Sequence, residues 1–164
     1  MNTIPIPEWV KDLKEQDEAE QSRIELRRLS QLQAERAVTA DGPNFFRDLI
    51  EAISVNVTGI QMLGICGSVT KVIEDKREWQ WRITVERRSA LPKSTWVNIF
   101  YAPGDKSIRL LARNLNTILG QPSELTLCDV GGKVGVVSEE LPAGSSAREA
   151  AELIVQQMVA AIRA

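Results

Sequence analysis

Two pairs of adjacent carboxylates are the residues whose types and spacing most resemble a catalytic arrangement. Glu74 with Asp75, and Glu139 with Glu140, could share the roles of general acid and general base. Adjacent charges at the ends of strands, however, usually keep a turn in contact with water. We therefore predict that neither pair is catalytic.

Two glycine-rich segments raise the question of phosphate binding. They are Gly64–Gly67 and Gly131–Lys133. A phosphate-binding loop leads from a strand into the N-terminus of a helix and has a characteristic glycine spacing, and neither segment has these features. We predict that both segments form turns.

Histidine is absent from all 164 residues. The commonest general base, metal ligand and partner of a catalytic nucleophile is therefore missing. Cys66 and Cys128 are too few to form a zinc site by themselves, and we expect them to be reduced, small buried thiols. These features favour a protein that is not an enzyme, with a small-molecule enzyme as the third reading. We expect no catalytic residue, no metal site and no cofactor.

The segment from Glu78 to Tyr101 contains three of the four tryptophans. Trp79, Trp81, Ile83 and Val85 alternate with polar residues, which is the period of a strand with one buried face. A second aromatic and β-branched run ends at Tyr101, so the segment is predicted to be an antiparallel hairpin. We expect Trp81 to lie in the core and its replacement by alanine to cost about 3 to 5 kcal/mol.

The same hairpin suggests nucleic-acid binding as an alternative function. Nucleic-acid bases stack on aromatic rings, and phosphates bind to lysine and arginine. The overall net charge of −2 opposes this reading, because most nucleic-acid-binding domains are basic. The residues of this alternative surface are Arg82, Arg87, Arg88 and Lys93.

A long polar helix is predicted from Glu8 to Val38, where glycine and proline are absent and good helix formers dominate. Acidic residues are concentrated in its first half and arginines in its second half, so a second copy in antiparallel orientation would place opposite charges together. The candidate interaction surface consists of its apolar side chains: Trp9, Leu13, Ile24, Leu29 and Leu32.

The remaining elements predict an α+β fold. Asp41, Gly42 and Pro43 are expected to end the long helix, because glycine follows helix ends and proline begins helices. An amphipathic helix is then predicted over 44–58, followed by an antiparallel sheet of about six strands in hairpins, with the helices on one face. The connection 114–122 is expected to contain one helical turn, and a capping box at Ser146 begins the final helix. We expect two parts, 1–40 with the long helix and 41–164 with the α+β domain.

Composition indicates a globular protein outside the membrane. Hydrophobic residues make up 43% of the chain and charged residues 26%, and no apolar run approaches the roughly 20 residues that span a bilayer. The N-terminus lacks the basic start and apolar core of a signal peptide. We expect a cytoplasmic protein.

The order of elements resembles that of the type III secretion chaperones, which are small acidic α+β proteins with an antiparallel sheet and a helical dimer surface. The resemblance is one of architecture, and it implies the binding of an unfolded effector segment without enzymatic activity. The leading prediction from the residues themselves is a non-enzymatic protein–protein interaction domain that self-associates or binds another protein.

Overall fold

The computed structural model describes residues 4–112 and 124–163. The chain forms two compact units, which divide between Glu35 and Arg36. The predicted connection 114–122 and its helical turn lie outside the described residues. The elements are helix α1 (Glu8–Gly59), a 3₁₀ turn (Ile60–Leu63), strands β1 (Ile65–Glu74), β2 (Trp79–Arg87), β3 (Lys93–Tyr101), β4 (Ser107–Ala112), β5 (Glu124–Val130) and β6 (Lys133–Val137), and helix α2 (Ala147–Arg163).

The six strands form one antiparallel sheet in the order of the sequence, β1 to β6. Both the C-terminal part of α1 and α2 pack on the same face of this sheet, where Phe46 of α1 and Ile154 of α2 belong to one hydrophobic core. The predicted α+β fold, with its long N-terminal helix, is confirmed. The buried sheet residues are Trp79, Ile83, Val85, Val97, Ile99, Tyr101, Ile108, Leu110, Leu125, Leu127 and Val136.

Strand β2 confirms the alternation seen in the sequence, except that one of its four apolar residues is less buried than expected. Trp79, Ile83 and Val85 are buried on the helix-covered face. Trp81 packs against the same core but is only partly buried, so its expected place within the core is corrected. Trp79 is held more tightly, because its indole N–H donates a 3.0 Å hydrogen bond to the carbonyl of Asp75.

The prediction that the long helix ends at Asp41–Pro43 is wrong. Helix α1 continues through Pro43 to Gly59, and Gly42 is one of its buried residues. A Cβ atom at Gly42 would lie 2.5 Å from the Tyr101 hydroxyl oxygen and 3.3 Å from Leu127 Cδ1. The glycine therefore serves close packing of the helix against the sheet, and this packing offsets the cost of a proline inside a helix.

The prediction of a turn is confirmed at Gly131 and Gly132, whereas the prediction for Gly64–Gly67 holds only at Gly64, because strand β1 begins at Ile65 and includes Gly67. Gly131 and Gly132 connect β5 to β6 with φ angles of 62° and 82°, which side chains with a Cβ rarely adopt. Ser146 caps α2, because its hydroxyl accepts a 3.2 Å hydrogen bond from the Glu149 amide. Cys66 is exposed on β1 and Cys128 is partly buried, so the expectation of two buried thiols is corrected; both are free.

Candidate functional site

The surface of α1 between Glu8 and Glu35 is open along its whole length. Every residue in this range is exposed except Val10 and Ala34, which are half-buried. The five apolar residues of the candidate interaction surface are exposed by between 39% and 65%. Large apolar side chains on a helix normally face a neighbour, so this segment lacks the contacts that usually stabilise a helix.

The geometry of the helix brings four of these five residues to one side. At about 100° per residue, Trp9, Leu13, Ile24 and Leu32 fall within an arc of roughly 140°. Leu29 lies roughly 60° beyond Leu32, outside that arc. These four residues form the apolar side of the helix.

Charged residues around the apolar side form only loose contacts within the helix. Three ion pairs link neighbouring turns, with nitrogen to oxygen distances of 3.6 to 4.0 Å, and all six side chains are more than half exposed. Exposed pairs of this kind contribute about 0.2 to 1 kcal/mol at most. They do not replace the missing apolar contacts. The pairs are Lys14 with Glu18, Arg23 with Glu20, and Arg28 with Glu25.

The four residues of the alternative nucleic-acid surface divide into two places. Arg87 pairs with Lys93 at the end of the β2–β3 hairpin, and Arg88 follows in the connecting loop. Arg82 lies about 17 Å along the strand from Arg87, at roughly 3.3 Å per residue. The structure therefore brings together Arg87, Arg88 and Lys93 but not Arg82.

Arg82 takes part in a different arrangement, on the sheet face that the helices leave uncovered. Its guanidinium carbon lies 4.9 Å from the centre of the Trp96 ring, and its Nε donates a 2.9 Å hydrogen bond to Asn98 Oδ1. Next to this group, Phe100 pairs with Arg109 of β4. The sequence contained a signal for this arrangement, because alternation along β3 places Trp96 on the face opposite to Val97.

A cleft of about 690 Å³ lies between α1, β6 and the start of α2. Sequence reasoning missed it, because its walls come from three segments that only the tertiary structure brings together. Its lining combines three acidic side chains with two basic ones, so the cleft carries a small net negative charge. The lining residues are Phe45, Asp48, Glu51, Ala52, Val55, Asn56, Lys133, Val134, Ser146, Ala147, Arg148 and Glu152.

The carboxylate pair at the β1–β2 turn has a structural role. Asp75 accepts 2.7 Å hydrogen bonds from the amides of Arg77 and Glu78, which lower the pKa of its carboxyl group. Lys71 donates a 2.9 Å hydrogen bond to Glu74 and likewise lowers the pKa of Glu74. A general acid at neutral pH needs a raised pKa, so these shifts do not favour acid catalysis.

In the second carboxylate pair, Glu139 and Glu140, one member forms a hydrogen bond to a neighbouring helix. Glu140 accepts a hydrogen bond from the Gln157 side chain of α2, and both residues of the pair are exposed.

Within residues 4–112 and 124–163, no cluster of three or more histidine, cysteine or acidic side chains is placed to hold a metal ion. In the same described ranges, every helix is too short or too polar to cross a bilayer.

Comparison with known proteins gives no family for this chain. No protein-family model, no curated protein and no solved structure matches it. The class of protein that the fold defines is an α+β domain with a six-stranded antiparallel sheet and an extended N-terminal helix. The surfaces described above are therefore the basis for assigning a function.

Proposed function

We propose that this chain is a non-enzymatic protein–protein interaction domain that self-associates through the helix segment Glu8–Glu35. The observation that supports this is the exposure of the apolar side: Trp9, Leu13, Ile24 and Leu32 contact solvent in a segment where most of the other residues are polar. A helix without packed neighbours is only marginally stable in water. A partner that covers these residues would supply the missing stabilisation.

A second copy of the chain is the partner that the charge pattern fits best. The first half of the segment is acidic, and an antiparallel copy would place it against the arginines of the second half. A two-fold symmetric pair needs only one self-complementary surface. The acidic residues of the first half are Glu8, Asp12, Glu15, Asp17, Glu18 and Glu20, and the arginines of the second half are Arg23, Arg27 and Arg28, with Arg36 directly after the segment. We also propose a cytoplasmic location, where thiols such as those of Cys66 and Cys128 stay reduced.

The test is the oligomeric state of the full chain at tens of micromolar, measured by sedimentation equilibrium. We expect a dimer for the native chain and a monomer for Ile24→Glu, which places a charge on the apolar side. Leu26→Glu is the matched control, since Leu26 is exposed and lies roughly 160° from Ile24 around the helix. A native chain that remains monomeric, or a control that dissociates as readily as Ile24→Glu, would reject the proposal.

A second candidate function is the binding of single-stranded nucleic acid on the uncovered sheet face. The observation in its favour is the contact of Arg82 with Trp96 beside Phe100 and Arg109, which combines aromatic rings with positive charge. An oligonucleotide titration followed by fluorescence anisotropy tests it. Binding tighter than about 10 µM near physiological salt, weakening steeply as salt rises, would establish this function. The absence of binding would remove it.

A further inference from the structure

One ridge of α1 has a self-complementary order of residues. The residues Leu13, Asp17, Gln21, Ile24, Arg28 and Leu32 follow one another at spacings of four, four, three, four and four. At about 100° per residue, all six fall within an arc of roughly 100° on the helix. They are therefore the residues that one partner helix would meet along a single seam.

We propose that two copies of this chain pair in one specific antiparallel register, in which Asp17 of each copy forms an ion pair with Arg28 of the other. This inference rests on the proposed self-association and specifies its geometry. In this register, residue n of one copy lies at the level of residue 45 minus n of the other. The two-fold axis then passes between Ser22 and Arg23.

The opposite charges along the seam match in this register. Asp17 lies at the level of the second copy's Arg28, and Gln21 lies at the level of its Ile24. At each outer end of the seam, Leu13 of one copy lies at the level of Leu32 of the other, and the two leucines lie on opposite sides of the seam. Because of the two-fold symmetry, each match occurs twice. The paired region spans twenty residues, or roughly 30 Å of helix.

The ion pairs select this register over its neighbours. A shift of one helical turn would move Asp17 away from Arg28. In a parallel pair, Asp17 would face Asp17 of the second copy and Arg28 would face Arg28, so like charges would repel. Arg28 already lies 3.6 Å from Glu25 in its own helix, and both side chains are exposed. The guanidinium carries five N–H donors, so Arg28 can bind Asp17 of the second copy while keeping this contact. Asp17 forms no ion pair among the residues that the structure describes.

Charge exchange in the full chain tests the register. We expect Asp17→Arg and Arg28→Asp each to weaken the dimer about tenfold or more, because each change converts two attractions into two repulsions. The double variant carrying both changes restores the attraction with inverted signs. Its dissociation constant should return to within about threefold of the native value. The measurement is sedimentation equilibrium, with far-ultraviolet circular dichroism to show that the helix content is unchanged.

Asp12→Arg is the matched control. It makes the same change of charge in the same half of the helix, but Asp12 lies roughly 140° from Asp17 around the helix, outside the seam. We expect it to alter the dissociation constant far less than Asp17→Arg.

The outcomes separate the register from the proposed function. If all variants dimerise like the native chain, or if Asp12→Arg is as harmful as Asp17→Arg, self-association stands and this register is wrong. A double variant as weak as the single variants also overturns the register. If the native chain itself is monomeric, the proposed function and the register fail together.

Discussion

Gly42 shows how one residue decides the path of an element. Its helix turn approaches the sheet so closely that the Tyr101 hydroxyl occupies the space of a side chain. Phe46, one turn later, stacks on the same tyrosine ring, with centroids 5.2 Å apart. The contact therefore fixes the helix against β3 at a point where glycine and proline would otherwise favour a helix end.

We predict that Gly42→Ala destabilises the protein by about 1 to 3 kcal/mol, because the added methyl group overpacks a rigid contact. Urea unfolding measures the change. Tyr101→Phe removes the oxygen that the new methyl group would meet, so the double variant should lose less than the sum of the single changes. Gly59→Ala is the control: a Cβ there has no neighbour within 4 Å, and the substitution should be neutral or slightly stabilising. Equal losses at positions 42 and 59 would contradict the close approach.

Trp79 and Trp81 should differ in their contribution to stability. Trp79 is buried and contacts the Phe46 and Tyr101 rings at centroid distances of 5.8 and 5.7 Å, so Trp79→Ala should cost about 3 to 5 kcal/mol. Trp81 is only partly buried, and we expect its replacement by alanine to cost about 1 to 2 kcal/mol, less than the sequence alone predicts. Denaturant unfolding of both variants would decide this, and a larger loss at Trp81 would contradict it.

Tyr101 predicts how stability changes in alkali. Burial raises the pKa of its phenol, while the Gly104 amide opposes the shift and Asp105 adds to it. The folded state thus favours the protonated phenol, so its contribution to stability is present below about pH 10 and is lost as pH rises through the folded-state pKa. Tyr101 is the sole tyrosine, so phenolate absorbance reports it directly. We expect a higher titration midpoint in the native protein than in urea, and coincident midpoints would contradict the burial effect.

At the scale of elements, α1 combines two segments of different character. The segment before Arg36 is exposed, whereas the later part supplies core residues beginning with Val38. The first segment has only the four widely spaced residues of the apolar side, whereas the second has a continuous apolar stripe that packs in the core. One continuous helix therefore belongs to two compact units.

We predict that a shortened chain beginning at Arg36 folds cooperatively and remains monomeric. All of the buried apolar residues lie at or after Val38 in the described part of the chain, so the core is retained. Thermal unfolding and light scattering test this. A chain that begins at Asp41 serves as a comparison, because it lacks Val38 and should be less stable. Aggregation or non-cooperative unfolding of the Arg36 chain would show that the exposed segment is needed for folding.

For the molecule as a whole, we predict that salt weakens self-association more than it weakens folding. The proposed dimer depends on exposed opposite charges, which added salt screens over roughly 10 Å at 0.1 M. The core of 36–163 is apolar in its described part and does not depend on ion pairs. Sedimentation equilibrium and urea unfolding at low and high salt would measure the two effects. An association constant that does not change with salt would contradict the role of charge.

Local patterns were sufficient for most of the fold. Period-two alternation from Trp79 to Val85, turn residues at Gly131 and Gly132, and the cap at Ser146 each act through neighbours in the sequence. The functional surfaces were less predictable. The apolar residues of the polar helix were identified, but the uncovered face with Arg82 and Trp96 depends on which side of the sheet the helices choose. Alternation alone does not make that choice.

The sequence by itself determined the type of each described element and the charge pattern of the N-terminal segment, because propensity, periodicity and charge act over a few residues. The tertiary structure alone decided that α1 passes through Gly42 and Pro43, that Trp81 stays partly exposed, and that three segments meet around the cleft. These outcomes depend on contacts between residues far apart in the chain. The packing of Gly42 against Tyr101 is worth more than the local preference for a helix end, and no local pattern records that balance.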